Sequence, residues 1–306
     1  METNTTGSDN TAVGGGALQS NTTASANTAV GRIALSANTT GTQNVAVGHC
    51  ALRINTTGSN NTSVGACSLC HNSTASDNTA LGMCALHENT TGCENVAVGT
   101  EAMNTGTTAC RSVAVGYRAL KSVQTGTNNV GVGFCSLNAI TTGAANTAVG
   151  DIALLSTTTA SNNTAVGGSS LLANTTGSEN TAIGFSALVK NTTGCYNQAV
   201  GNFALACNTT GCQNVAMGLL ALQKNTTGDN HVAIGRLALA CNTTANDNTA
   251  VGLCALYTNT TGAINAAFGG YALQNNTTGS QNTAVGISSL ENNSTAAGNT
   301  AMGYRA

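Results

Sequence analysis

The sequence Asn10-Thr11-Ala12-Val13-Gly14 returns along the whole chain at intervals of seventeen residues. Its glycine recurs from Gly14 to Gly303 without one inserted or deleted residue, so eighteen repeats account for all 306 residues. Such a strict period is typical of a solenoid, in which each repeat is one coil that buries its apolar face by stacking on its neighbours. The sequence therefore predicts one continuous repeat domain over residues 1–306.

We number each coil from the asparagine of this motif, so that Asn10 is repeat position 1 and Gly14 is repeat position 5. The consensus is Asn-Thr-Ala-Val-Gly-x-x-Ala-Leu-x-x-Asn-Thr-Thr-Gly-x-x. Seventeen residues are too few for two helices and two turns, and the glycines and β-branched residues disfavour helix. They suit short strands at repeat positions 1–4 and roughly 8–14. We therefore predict an all-β fold, a parallel β-solenoid of eighteen coils.

Repeat positions 3 and 4 are adjacent, so their side chains point to opposite faces of a strand. Position 3 holds only Ala, Ser or Gly, whereas position 4 holds a larger apolar residue in every coil. If both faces are close-packed, one is the interior of the coil and the other needs a second surface against it. This favours lateral association of solenoids, such as a trimer. The alternative is that position 3 is small only because the interior of the coil is cramped.

Charge and composition exclude several classes of function. All charged residues fall at repeat positions 6, 7, 10, 11, 16 and 17, which we interpret as solvated turns. The net charge of −2 is too small to indicate nucleic acid as a partner. No apolar run reaches the roughly 20 residues of a membrane span. The amino end, Met1-Glu2-Thr3-Asn4, does not resemble a secretory signal. We therefore expect retention in the cell, release by lysis or packaging, or a targeting segment that has been lost.

Both ends of the chain keep the repeat. Ala306 is at repeat position 8 and Met1 at position 9, where Met103 shows that methionine replaces leucine. Stacking the end of one chain on the start of the next would continue the pattern, and a head-to-tail contact that does not close forms a filament. The predicted assembly ends are Met1, Thr3, Thr300, Ala301, Met302 and Ala306. The alternative is a segment of a longer fibre protein.

The recurring motif, with variants such as Asn44-Val45-Ala46-Val47-Gly48 and Ser112-Val113-Ala114-Val115-Gly116, resembles the head repeats of trimeric autotransporter adhesins. Similar repeats occur in the fibres of phages and large viruses. The resemblance implies a left-handed parallel β-roll, three chains wound together, and binding to a host or cell surface. The chain departs from that family in its longer coil, and it shows no sign of a coiled-coil stalk or membrane anchor.

The twelve cysteines all lie at variable repeat positions. Equivalent residues on neighbouring coils are about 4.8 Å apart, which is within the Cα range of a disulfide. A candidate disulfide ladder consists of Cys50, Cys67, Cys84, Cys93, Cys110, Cys195 and Cys212. The alternative is free thiols in a reducing compartment. The spacing Cys67-x2-Cys70 with Cys84-x2-His87 also matches a zinc-site pattern. Because these are copies of one variable turn, we expect no metal and no cofactor.

Threonine recurs in columns at repeat positions 2, 13 and 14, so ice binding through ordered hydroxyl groups is a further alternative. We expect instead that the invariant threonine of position 14 forms hydrogen bonds within the coil. The asparagines of positions 1 and 12 are expected to form stacked amide ladders. The sequence contains no recognisable constellation for catalysis, so an enzyme is not expected.

The function that the sequence predicts is a structural subunit of a self-assembling fibre, either an extracellular filament or part of a virion surface. Its expected partner is itself, head-to-tail and laterally. The alternative is a binding module, either an adhesin head or a tail-fibre shaft, that recognises a host surface through its turn residues.

Overall fold

A computed structural model describes residues 3–306. These residues form two compact units. The first comprises the described residues through Ile152 together with Ser156–Thr159, and the second comprises Ala153–Leu155 and Ala160–Ala306. Each unit is a parallel β-solenoid with one three-residue strand in every coil, at repeat positions 2–4. The predicted all-β parallel solenoid of seventeen-residue coils is confirmed.

The strands of the first unit are β1 (Thr11–Val13), β2 (Thr28–Val30), β3 (Val45–Val47), β4 (Thr62–Val64), β5 (Thr79–Leu81), β6 (Val96–Val98), β7 (Val113–Val115), β8 (Val130–Val132) and β9 (Thr147–Val149). The strands of the second are β10 (Thr164–Val166), β11 (Thr181–Ile183), β12 (Gln198–Val200), β13 (Val215–Met217), β14 (Val232–Ile234), β15 (Thr249–Val251), β16 (Ala266–Phe268), β17 (Thr283–Val285) and β18 (Thr300–Met302).

Within each unit every strand pairs in parallel with the strand of the next coil, and each residue pairs with the residue seventeen positions later. Ala29 lies opposite Ala46 in the first unit, and Ala199 lies opposite Ala216 in the second. The period of the sequence is therefore the register of the sheet. No helix among the described residues is long and apolar enough to cross a bilayer.

The prediction of a second strand at repeat positions 8–14 is wrong. Repeat positions 7, 9 and 17 instead have left-handed backbone, as in Cys67 (φ +56°), Leu69 (φ +46°) and Asp77 (φ +62°). Left-handed backbone costs a residue with a side chain about 1–2 kcal/mol. The turns still bond to their neighbours, since the amide of Leu69 donates to the carbonyl of Ala85 at 3.0 Å. Hydrogen bonds between coils therefore hold a backbone that a single coil would not keep.

The interior of each coil is narrow and lined by small side chains. The alanines of repeat positions 3 and 8 and the leucine of position 9 are fully buried, as Ala216, Ala221 and Leu222 illustrate. The side chains of position 4 point away from this core and are partly exposed, as in Ile183 at 41%. Position 3 is thus small because the interior is cramped, and the apolar residue next to it lies on the outside.

The glycine of repeat position 5 is required for two reasons. Gly218 has a φ of +134°, which side-chain-bearing residues rarely adopt. A Cβ atom on Gly218 would also lie 2.6 Å from the carbonyl oxygen of Gly235 in the next coil. The backbones of successive coils can stack at this point only without a side chain.

We expect Gly218→Ala to destabilise the coils around it by about 2–4 kcal/mol, because the new methyl group combines backbone strain with a clash between coils. Amide hydrogen exchange measures this locally, and the protection of β13 and β14 should fall. Gly270→Ala is the matched control, since the nearest atom to its added Cβ is 3.9 Å away and no left-handed φ is involved. Equal protection in both variants would contradict this account.

Candidate functional site: ladders, surfaces and ligand clusters

A ladder of buried asparagines at repeat position 12 ties successive coils together. The side-chain amide of Asn38 donates to Oδ1 of Asn21 at 3.0 Å and to the carbonyl of Gly41 in its own coil at 2.9 Å. Asn208 repeats this geometry in the second unit by donating to Asn191 at 2.8 Å. These side chains are fully buried. The structure therefore has the amide ladder that the sequence predicts.

A second ladder runs along repeat position 1. The backbone amide of Asn44 donates to Oδ1 of Asn27 at 2.9 Å, and its side-chain amide donates to the carbonyl of Gly58 at 2.9 Å. Oδ1 of Asn44 in turn accepts from the backbone amide of Asn61 at 3.0 Å, so an inner asparagine of this ladder joins its coil to both neighbours. Because these amides are buried, a coil that lost its neighbour would leave them without a partner.

One coil replaces the asparagine of position 1 with His231. Its backbone amide donates to Oδ1 of Asn214 at 3.0 Å, and the amide of Asn248 lies 3.2 Å from its Nδ1. Its Nε2 lies 2.6 Å from the carbonyl of Ala245. A neutral ring with its proton on Nε2 satisfies both contacts. Burial lowers the pKa of His231, which favours this neutral form.

We expect His231→Asn to make the protein less sensitive to acid. Because the pKa of the folded histidine is lowered, the unfolded chain takes up a proton below about pH 6.5 that the folded chain does not. The contribution of His231 to stability is therefore present above that pH and is lost as the pH falls, by at most about 1.4 kcal/mol per pH unit. Thermal unfolding at pH 7.5 and pH 5 measures it. An identical pH dependence in both proteins would refute this role.

A column of hydroxyl groups at repeat position 13 bonds between coils. Thr39 Oγ1 donates to the carbonyl of Thr56 at 3.0 Å, and Thr192 Oγ1 donates to that of Thr209 at 2.9 Å. The threonines of position 14 are exposed, as Thr40 illustrates. The expected assignment of the hydrogen-bonding threonine to position 14 is thus wrong, because the side chain of position 13 turns towards the next coil. Position 14 contributes one exposed column of hydroxyl groups.

An apolar surface follows the outside of the sheet in each unit. We call the side chains at repeat position 4 of all strands the outer ridge. Val149 in the first unit is 37% exposed, and Phe268 in the second is 44% exposed. No charged residue occurs at positions 2 or 4 of any coil. Aromatic rings at position 6 extend this surface, since Tyr117 and Phe134 stack with ring centroids 5.4 Å apart.

The last seventeen residues of the second unit, 290–306, contain β18 and expose groups that the inner coils bury; we call them the last coil. Ala296, at repeat position 15, is exposed, whereas its equivalent Ala160 is 2% exposed. Of the predicted assembly ends, Met1 lies outside the described residues, and Thr3 Oγ1 donates to the carbonyl of Gln19 at 2.9 Å. The others, Thr300, Ala301, Met302 and Ala306, all lie in this last coil, which follows the solenoid path because Leu290 donates to the carbonyl of Ala306 at 2.9 Å.

All twelve cysteines are free thiols, and Cys50 and Cys70 are buried. Within the candidate disulfide ladder, the Sγ atoms of Cys93 and Cys110 lie 3.1 Å apart on neighbouring coils. The hydrogen bond to Cys110 and partial burial raise the pKa of Cys93 to about 11. The amide of Cys195 lies 3.2 Å from Sγ of Cys212, so that pair is also adjacent. The remaining members, Cys50, Cys67 and Cys84, occupy repeat position 7 of three successive coils.

We expect oxidised glutathione to convert Cys93 and Cys110 into an intramolecular disulfide. The two thiols lose two hydrogens and two electrons, and the glutathione disulfide is reduced to two thiols. Mass spectrometry should find the two peptides linked. Cys207 and Cys241 are the matched control, because they lie two coils apart, about 9.6 Å, which is beyond disulfide reach. A mixed glutathione disulfide on Cys93 beside a free Cys110 would contradict the prediction.

Two clusters of metal-ligating side chains lie on neighbouring coils. In the first, a ligand atom from each of His49, Cys50 and Cys67 lies within 4.8 Å of the others. The second is the triad of His71, His87 and Glu88, which we call the histidine–glutamate cluster. Its carboxylate lies 2.9 Å from Nδ1 of His71 and 2.8 Å from Nδ1 of His87.

The structure groups these ligands differently from the candidate set Cys67, Cys70, Cys84 and His87. That set was selected by sequence spacing within a turn. The clusters are instead formed by residues about seventeen apart, because stacking brings the same turn of two coils together.

Comparisons of the chain with known protein families, with curated proteins and with solved structures found no match. The parallel β-solenoid is therefore established by the fold itself, while the resemblance to trimeric autotransporter adhesins stays a hypothesis.

Proposed function

We propose that the protein is a non-enzymatic structural subunit that assembles with copies of itself into a fibre, extracellular or on a virion. The observation that carries this proposal is that the coils of each unit stack in one register, and that most of them bond to the next coil through asparagines at repeat positions 1 and 12. Position 12 is instead Gly106, Val123, Ile140 and Thr157 in four coils. Asn38 and Asn208, many coils apart, make equivalent bonds to the coils before them. Two coil edges that both carry these asparagines are therefore complementary, including an edge on a second molecule.

The last coil supports end-to-end assembly. Asn293 donates to Asn276 at 2.9 Å, while in inner coils the equivalent asparagine also accepts a bond from the following coil. A coil from another molecule would extend this ladder and cover Ala296. Since a contact of this head-to-tail kind does not close on itself, the proposed assembly is open and forms a filament.

The outer ridge supports lateral association in the same fibre. Its residues are apolar in every coil although they lie outside the core, and a continuous exposed apolar surface is typical of a protein interface. A second solenoid would present side chains with the same spacing of about 4.8 Å, so the two ridges can interdigitate. A trimer arranged around these ridges is one form of this packing.

The alternative, a surface-binding adhesin head or fibre shaft, is favoured by exposed aromatic side chains at variable positions, such as Phe134, which is 53% exposed, and Tyr196, which is 54% exposed.

Ice binding has the exposed threonine column of position 14 in its favour. That column is single, because the threonines of position 13 are engaged between coils. An ordered two-dimensional array of hydroxyl groups is therefore not formed there, and measurable thermal hysteresis is not expected.

Electron microscopy of the purified chain tests the fibre proposal, and we expect filaments of uniform width. Ala296→Lys should abolish them, because repeat position 15 accepts only Gly or Ala between coils and the added charge would meet the incoming coil. Thr295→Lys is the matched control, since it places the same charge on an exposed neighbouring residue of position 14. Filaments are expected to persist in that variant.

The same experiment tests the lateral contact between solenoids with a separate variant. Ile183→Lys on the outer ridge should lower the mass per unit length of the filaments, whereas Gln213→Lys at an exposed turn should leave it unchanged. Discrete particles of the unmodified chain at every concentration would overturn the proposal and favour the binding module. Filaments that persist in Ala296→Lys would overturn end-to-end stacking as their basis.

A further inference from the structure

We propose that His49, Cys50 and Cys67 form a binding site for Zn2+ on the surface of the solenoid. The inference is independent of fibre assembly, since all three residues belong to inner coils of the first unit.

Ligand-type residues are concentrated in this part of the chain. Three of the four histidines and four of the twelve cysteines lie within residues 49–87. They occupy repeat positions 6, 7, 10 and 11, which elsewhere hold residues as different as Gly, Phe and Asp. Stacking of the coils does not require histidine or cysteine at these positions. Their accumulation over neighbouring coils therefore needs another explanation, and shared metal ligation supplies one.

The geometry comes from the stacking of two turns. Cys50 and Cys67 share repeat position 7 on neighbouring coils, and both have left-handed backbone with φ near +57° (+58° and +56°), so their side chains leave the turn in the same direction. Sγ of Cys50 lies 3.3 Å from Nδ1 and 3.5 Å from Nε2 of His49. One ligand atom from each of the three residues lies within 4.8 Å of the other two.

These separations are close to those of a tetrahedral zinc site. With Zn–S near 2.3 Å and Zn–N near 2.0 Å, ligand atoms on one ion are separated by about 3.5–3.8 Å. The cluster needs to contract by at most about 1.3 Å, which rotation of the exposed His49 and the half-buried Cys67 side chains towards the buried Cys50 provides. Two thiolates and one imidazole are a ligand set that selects Zn2+ over Mg2+ or Ca2+.

The surroundings supply a charge balance. Cys70 is buried, and Cys50, Cys67 and Arg53 are its ionisable neighbours. Two thiolates neutralise the ion, and a third from Cys70 would leave one negative charge beside the Arg53 guanidinium. Nε of Arg53 is buried without a hydrogen-bond partner, so it is available to a sulfur that has lost its proton.

Arg32 opposes the binding of a cation at this site. Its guanidinium lies 3.4 Å from Nε2 of His49, on the exposed side of the cluster. Binding a cation requires this side chain to swing away, which costs the contact and brings two positive charges close. We therefore expect Arg32→Ala to bind Zn2+ more tightly than the unmodified chain, the reverse of the effect of removing a ligand.

The test uses the full chain under a reductant and titrates it with Co2+ as a spectroscopic probe, followed by competition with Zn2+. We expect a thiolate-to-cobalt charge-transfer absorption that Zn2+ abolishes. Cys67→Ser and His49→Ala should each weaken Zn2+ binding by more than about tenfold, and Cys67→Ser should reduce the charge-transfer absorption. Cys254→Ser is the matched control, because it has the same repeat position and a φ of +54° but no histidine in the same turn.

The absorption spectrum distinguishes cobalt bound at the proposed site from cobalt bound at the histidine–glutamate cluster, which contains no thiolate. A paired change of His71 and His87 to Ala should leave the thiolate absorption intact, because neither residue belongs to the proposed site. Cobalt binding without a thiolate absorption would overturn the proposal, as would an unchanged absorption in the double variant of Cys50 and Cys67 to Ser. Retained hydrogen-exchange protection of β3 and β4 shows that the variants are folded.

Discussion

The close approach of successive backbones at the glycine of repeat position 5 is the constraint on which the rest of the structure depends. A Cβ atom at Gly99 would lie 2.5 Å from the carbonyl oxygen of Gly116, so only glycine allows the coils to stack at the spacing of one strand. Once that spacing is fixed, every residue lies above its equivalent in the previous coil. In-register stacking then places each repeat position in a column, so each side chain must pack against or bond to the equivalent side chains of the coils on either side.

Columns of asparagine meet that requirement well, because an amide carries both a donor and an acceptor. Asn55 donates to Asn38 and in turn accepts from Asn72, so a buried polar side chain is satisfied on both sides. Columns of alanine and leucine fill the remaining interior with no polar atom to satisfy. A core made of such small side chains is thin, and much of the cohesion of the fold therefore comes from hydrogen bonds between coils. The left-handed turns are stable for the same reason.

The periodicity of the sequence was sufficient to predict the solenoid, its register and the amide ladders, because each follows from a residue type repeated at one spacing. It did not predict that repeat positions 8–14 form turns. The residue types at these positions suit a strand, but the backbone of Leu86 has a φ of +51°, which belongs to a turn. Residue type alone does not reveal this backbone conformation. The zinc pattern combines Cys67, Cys70, Cys84 and His87 by local spacing, whereas stacking of the coils brings His49 to Cys67 and His71 to His87. The assembly ends and disulfide candidates remain predictions.

A fold of this kind separates the residues that build it from the residues that can vary. Glycine, asparagine, alanine and leucine at fixed positions hold the coils together, so the turns at positions 6, 7, 10 and 11 are free to differ. Stacking nevertheless brings any two of these turns on neighbouring coils within about 5 Å of each other. Two substitutions seventeen residues apart are therefore enough to juxtapose side chains, as the ion pair of Glu101 with Arg118 at 2.7 Å and the contact of Cys50 with Cys67 both illustrate. The scaffold thus makes binding sites accessible with few changes, while the apolar outer ridge, which is uniform rather than variable, suits contact with another copy of the same repeat.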